Sequence, residues 1–239
     1  MNDFYVVIPS RLDSKRLARK ALALIDGKPL IQWVYHRAIA SKAKSVIIAT
    51  DSDEIASVAR SFGAIVELTN EDHKSGTDRI FEVCDRLNWD DDQVVVNLQG
   101  DNPLMPPENI NQIAQMMNDC DIATLSAPIQ DHEIIDPNVV KVSTDPSSND
   151  ALFFKRNINS GDFKKNLGRH IGIYAYNVAS LKRFSLSPQS EDEKKEKLEQ
   201  LRAYSLDMRI KVEEAQLIPG PDVDTQDDLK LVQSILQND

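Results

Sequence analysis

Five cations, Arg11, Lys15, Arg16, Arg19 and Lys20, fall within ten residues of a chain whose formal net charge is -10. Like charges crowded this closely repel unless something neutralises them. The ligand expected there is a polyanion, and a nucleoside triphosphate fits best. A solvated basic loop is the competing reading of this stretch taken alone. The loop carries neither G-x-x-x-x-G-K-[ST] nor G-x-G-x-x-G, so it is not a P-loop or a dinucleotide turn. Two carboxylates stand where they could share such a site: Asp101, in Gln99-Gly100-Asp101-Asn102-Pro103, and Asp224, in Val223-Asp224-Thr225. Asp101 beside phosphate-binding cations suits a hard divalent ion, above all Mg2+ shared with phosphate oxygens. A plain Asp-Asn turn is the alternative. Ser75-Gly76-Thr77 is a third feature, because the free N–H groups of a helix start can meet an anion or a base edge.

These residues need elements that bring them together. Phe4–Ile8, Ser45–Thr50, Ala64–Leu68 and Gln93–Leu98 are apolar, β-branched runs of strand length, separated by helical patterns from about Leu30, Asp53 and Asp78. Such alternation predicts an α/β fold with a mostly parallel sheet covered on both faces. Ligands then sit at the carboxyl ends of the strands, where the basic loop and Asp101 both lie. Pro9, with no N–H, is expected to end the first strand. Asp51 reads as cap chemistry for the helix behind it, and Thr77 as the N-cap of the helix over 78–87. His73 alone says little.

Pro106-Pro107 opens a helix to about Asn118, and Asp121–Ala127 is a further strand. From Asp131 to Asp150 the pattern gives a loop, a short strand over 139–143 and a turn. Ala151–Lys155 and His170–Tyr176 are strands. The polar stretch between them, with Arg156, Lys164, Lys165 and Arg169, is either a flap over an acidic substrate or a surface loop. A capping box at Ser190 starts one helix through about Leu206, its charge run reading as a solvated face. Arg209–Glu213 is a late strand, and Thr225 caps the last helix. One compact unit is expected, its core formed by about 1–128 and 207–239 and a smaller lobe by about 129–206.

Composition narrows the class. Hydrophobic content of 41% and charged content of 28% over 239 residues are globular values. The acidic balance argues against a nucleic-acid binder, and no apolar run approaches the ~18–20 residues of a membrane span. The N-terminus reads as a strand rather than a signal peptide, so a cytoplasmic protein is expected. Cys84 and Cys120 read as buried free thiols.

Taken together, the motifs are similar to those of the sugar-activating cytidylyltransferases. Within that family they resemble the group acting on 3-deoxy-D-manno-octulosonate (Kdo). The likeness runs through Ile8-Pro9-x-Arg11, Ser14-x-Arg16-Leu17, Lys20, Gly27-Lys28-Pro29-Leu30-Ile31, Ala49-Thr50-Asp51, Ser75-Gly76-Thr77-Asp78-Arg79 and Val96-Asn97-Leu98-Gln99-Gly100-Asp101. It continues through Val140-Lys141-Val142, Ala151-Leu152-x-Phe154-x-Arg156, Arg169-His170-Ile171-Gly172-Ile173-Tyr174, Leu198-Glu199-Gln200-Leu201-Arg202 and Val223-Asp224-Thr225.

The resemblance implies a Rossmann-like nucleotidyltransferase fold, a homodimer joined through the smaller lobe, and a Mg2+-dependent reaction. CTP and Kdo would give CMP-Kdo, for lipopolysaccharide synthesis, and pyrophosphate. By the same carry-over Arg11, Arg16 and Lys20 hold the triphosphate, Ser75, Gly76 and Gln99 meet the cytidine, and Asp101 and Asp224 hold the metal. Arg11, Lys20 and Asp101 would be catalytic. Arg156, His170, Tyr174, Glu199 and Gln200 would line the sugar pocket. The chain departs from the family at Ser10-Arg11-Leu12, where members read Ala-Arg-Tyr. It departs again at Leu17-Ala18-Arg19-Lys20-Ala21-Leu22, where they read Leu-Pro-Gly-Lys-Pro-Leu. Asn102-Pro103 replaces an acidic residue and Pro, and the segment between Arg156 and Arg169 is short. A related acidic sugar, or a catalytically weak binding homologue, are the other readings these departures leave open.

Overall fold

A computed structural model describes residues 3–14, 16–159 and 166–237; Lys15, Lys164 and Lys165 lie outside the described residues. Strand β1 (Phe4–Ser10) is followed by a short 3-10 turn (Lys20–Leu22), a small hairpin of β2 (Leu24–Ile25) and β3 (Lys28–Pro29), and helix α1 (Leu30–Ile39). Then come β4 (Ser45–Thr50), α2 (Asp53–Ser61), β5 (Ile65–Leu68), α3 (Gly76–Arg86), β6 (Val94–Leu98) and α4 (Pro107–Gln115). The second half holds β7 (Ile122–Pro128), α5 (Asp131–Ile135), β8 (Lys141–Thr144), β9 (Ala151–Lys155) and β10 (Asn166–Asn177). Helices α6 (Val178–Ser185), α7 (Glu191–Glu196) and α8 (Gln200–Ser205), strand β11 (Ile210–Glu214) and α9 (Gln226–Leu236) complete it.

The main sheet runs β11-β7-β10-β6-β1-β4-β5, with β8 and β9 attached through β10. The pairs β6·β1, β1·β4 and β4·β5 are parallel, as is β11·β7, while β10 is antiparallel to both its neighbours. Alternation along β1 sends Val6 and Ile8 into one layer, with Ile31, Val34 and Ile55. Val7 goes into the other, with Ile80, Val83 and Cys84. Burial on both faces is why these strands are apolar throughout. After β5 the chain crosses back past β1 to lay down β6. The carboxyl ends of β1 and β6 therefore diverge, and a crevice opens between them.

Several expectations are corrected. Pro9 does not end β1, which pairs with β4 through Ser10↔Thr50 but with β6 only through Val7↔Asn97. The Pro9 carbonyl faces Gly100. In a strand the N and C=O of one residue share a side, so the missing N–H falls where the β6 ladder has already stopped. The segment after Asp131 begins with helix α5, and residues 166–169, placed in a flap or loop from sequence, belong to β10. The helix expected across 190–206 is two helices, because Lys197 adopts a left-handed conformation, φ 54°. The charge run is not all solvated: Glu193 is buried against Arg202. Cys84 is buried and Cys120 half-buried, and burial pushes their thiols up to about 12 and about 11.

Candidate active site

A cleft of about 410 Å³ lies at the carboxyl ends of β1 and β6. The loop after β1 contributes Arg11, Arg16 and Lys20, the end of β6 contributes Gln99, Gly100 and Asp101, and the start of α3 contributes Ser75 and Gly76. Asp224, from the turn before α9, reaches the same cleft. Its approach is fixed by backbone, since the Val223 N–H donates to the Asp101 carbonyl at 2.9 Å. Lys20 Nζ then donates to Asp101 Oδ2 at 2.7 Å and to Asp224 Oδ1 at 2.9 Å, and Arg16 pairs with Asp224 at 2.9 Å. Two carboxylates more than a hundred residues apart in sequence thus converge on one ammonium. Burial lowers the Lys20 pKa, but the charge and hydrogen bond of Asp101, followed by Asp224, outweigh it, and Lys20 stays above its ordinary value.

Sequence reasoning missed a third carboxyl. Asp222 keeps an exposed surface, yet desolvation by the surrounding chain and then the charges of Asp101 and Asp224 push its carboxyl above the ordinary carboxylate range. No pattern flagged it, because only the fold brings it beside Asp101. Arg79, His73 and Lys74 also line the cleft. Arg79 is buried in its floor, bonded to Asp51 at 2.5 Å and to Thr69. Asp51 is therefore no helix cap, a role Ser52 takes. Likewise Ser75, not Thr77, caps α3. His73 pairs with Glu82.

Arg19 turns away from the cleft and pairs with Glu54 on α2. It has left-handed geometry, φ 54° and ψ 35°. That explains the glycine common at this place in the resembling sequences: a Cβ here costs ~1–2 kcal/mol that glycine avoids.

The residues expected around a sugar separate into two groups. Glu199 lines the cleft, accepting a hydrogen bond from the Thr77 hydroxyl at 2.7 Å. Tyr174 and Gln200 lie just behind, bonded to each other at 2.6 Å. They share a small second cavity with Glu199. His170 and Arg156 are not among the cleft's lining residues. His170 Nε2 lies 3.0 Å from the Thr124 hydroxyl, its ring edge-on to Phe154, and burial lowers its pKa to about 3, so it is neutral. Arg156 donates to the carbonyls of Glu196 and Pro137, both at 3.3 Å, bracing the end of α7.

Residues 5–210 match the family model described as Cytidylyltransferase. The chain belongs to the cytidylyltransferase family. Relatives named 3-deoxy-manno-octulosonate cytidylyltransferase share 44% identity in Thioalkalivibrio sulfidiphilus, across 98% of this chain and 99% of the relative. In Francisella tularensis subsp. holarctica the figure is 45%, over the same shares. Among solved structures, a CMP:2-keto-3-deoxy-manno-octonic acid synthetase complexed with CTP superposes with a TM-score of 0.90 at 36% identity, covering 99% of both chains. A 4-diphosphocytidyl-2C-methyl-D-erythritol synthase, 11% identical with a TM-score of 0.68 over 98% of this chain and all of the other, shares the fold.

The crevice between β1 and β6 sets one requirement on this cytidylyltransferase that is testable by stability alone. A Cβ on Gly100 would lie 2.9 Å from the Pro9 carbonyl oxygen, which is backbone and cannot step aside. Gly100→Ala is expected to lower the thermal midpoint by about 5 °C, from ~2 kcal/mol of overpacking. A melt superimposable on that of the unaltered chain would refute the contact.

Proposed function

We propose that the protein transfers CMP from CTP to the anomeric hydroxyl of Kdo, releasing pyrophosphate and giving CMP-Kdo for lipopolysaccharide synthesis. The observation that carries this reading is the Lys20 bridge between Asp101 and Asp224, set in a cleft that also presents Arg11 and Arg16. The similarity to a CTP-bound synthetase over nearly the whole chain supports it. In such a transfer the protein positions two reactants and neutralises developing charge, without a covalent nucleophile of its own. Arg11, Arg16 and Lys20 take the triphosphate, drawing negative charge from the β- and γ-phosphates as pyrophosphate leaves. Ser75, Gly76 and the amide oxygen of Gln99 face the cytidine; the Gln99 amide nitrogen donates to Asn97 Oδ1 at 2.9 Å, which supports that orientation. Glu199, Tyr174 and Gln200 orient the sugar, with His170 and Arg156 bracing that side.

The donor set fits Mg2+. Among the described residues no three His, Cys, Asp or Glu side chains form a complete metal cage. Mg2+ is ordinarily held by one or two carboxylates, substrate phosphate oxygens and water. Asp101 and Asp224 would hold it, and when bound it would supply charge stabilisation at the phosphates. We further infer a homodimer: Ile135, 82% exposed, and Leu152, 50% exposed, offer apolar area on the smaller lobe for a subunit contact. No helix among the described residues is long and apolar enough to cross a membrane, and the use of CTP supports a cytoplasmic setting.

The deciding experiment is pyrophosphate release from CTP and Mg2+, with Kdo, its 8-amino-3,8-dideoxy analogue and N-acetylneuraminate offered in parallel. Turnover with Kdo is expected. Turnover confined to another sugar would move the substrate and keep the mechanism, whereas CTP binding without turnover on any sugar would overturn the enzyme assignment.

A further inference from the structure

Thr77 is 2% exposed, yet it carries a hydroxyl that its own helix does not use, since the Ser75 side chain already caps α3 by accepting from the Asp78 N–H. Valine would fill the same space without bringing a polar group into it. The hydroxyl is satisfied elsewhere. It donates to Glu199 Oε2 at 2.7 Å, across 122 positions of sequence. The next residue on α3 makes a parallel link: Asp78 lies 3.5 Å from Arg202, which is itself locked onto Glu193. Successive residues of one helix therefore grip the 193–202 segment at two points. The start of that helix, Ser75 and Gly76, is the wall assigned above to the cytidine.

We infer that Thr77 is a positioning residue that couples the two halves of the cleft, holding the Glu199 carboxyl so that the helix start met by the nucleotide also sets the sugar side. This rests on the function proposed above. Glu199 is otherwise poorly fixed for a group that must orient a substrate. It caps α8 without a side-chain bond of its own to that helix, and burial pushes its carboxyl pKa up, opposed chiefly by the Thr77 hydrogen bond. Two substrates that bias one shared arrangement bind with reciprocal coupling. Of the two links, the Thr77–Glu199 hydrogen bond acts on the Glu199 carboxyl itself, its donor on the nucleotide wall and its acceptor on the sugar side.

The test uses the full chain, with pyrophosphate release read at varied Kdo and varied CTP and calorimetric CTP binding in the absence of sugar. Thr77→Val is expected to raise the KM for Kdo about tenfold, the worth of a hydrogen bond to a charged group, while CTP binding without sugar stays as in the unaltered chain. Thr77→Ser, which keeps the hydroxyl, is expected to restore the KM. In a Glu199→Ala background Thr77→Val is expected to add nothing further. An unchanged KM for Kdo, no rescue by serine, or CTP binding weakened as much as Kdo binding would each overturn the inference. The last would mean the hydroxyl only supports the helix start. Those results, obtained while the unaltered chain turns over Kdo, would leave the functional reading intact. An unaltered chain that binds CTP and turns over no Kdo would overturn both.

Discussion

Asp101→Asn is expected to reduce CMP transfer at least about 10³-fold while the protein stays folded. Asparagine keeps the shape of the side chain and removes its charge. The backbone role of this residue survives, because the bond from the Val223 N–H goes to the Asp101 carbonyl. Lys20 also keeps Asp224 as a partner at 2.9 Å. The thermal midpoint should therefore shift by no more than about 3 °C, roughly 1 kcal/mol for a chain of this size. What is lost is half of the carboxylate pair that would hold the ion and that now orients the Lys20 ammonium. Neither a second cation nor a neutral amide can replace that. Pyrophosphate release at saturating CTP and Kdo, set beside a melting curve, separates the two effects. Retention of more than about a tenth of the turnover would show that Asp101 is a turn residue after all.

The placement of this candidate site's residues was legible in the sequence in pieces. The cations after β1 and the carboxylate after β6 could be placed at strand ends because the strands themselves are nearly all apolar. Burial on both faces leaves that mark in any sequence. Pairing Asp101 with Asp224 was an expectation that only the turn before α9 could settle, and Asp222 carried no signal at all. The helix break at Lys197 was also silent. Lysine is an ordinary helix former, and its left-handed geometry comes from what packs on either side: Glu193 before it and Arg202 after it must meet. Propensity gives way to a tertiary contact there. The same holds for Arg19, read as a phosphate-facing cation and found on Glu54. A charge count over ten residues says where cations are dense, and not which way each one points.

The buried pair that forces the break makes a second large prediction. Arg202 and Glu193 are each 2% exposed, joined by bonds from Nε at 2.8 Å and Nη2 at 2.6 Å, and the guanidinium stacks 4.4 Å from the centre of the Phe184 ring. Glu193 also accepts from the Ser190 N–H at 3.3 Å to close the box that starts α7. Arg202→Met would fill much of the same volume and leave that carboxylate buried without its cation. Breaking a buried pair from one side costs ~3–5 kcal/mol. For a chain of this length that corresponds to a drop of about 10 °C in thermal midpoint. Replacing both partners removes the stranded charge, so adding Glu193→Met is expected to recover much of the loss. The part not recovered reports the cap that Glu193 provides to α7. A single variant melting within about 2 °C of the unaltered chain would show that water reaches the pair and that it is not buried as described. Activity should fall with stability in the single variant and lag behind it in the double. Packing alone can hold α8 in place, but Arg202 also keeps the segment carrying Glu199 tied to Asp78 on α3, 3.5 Å away.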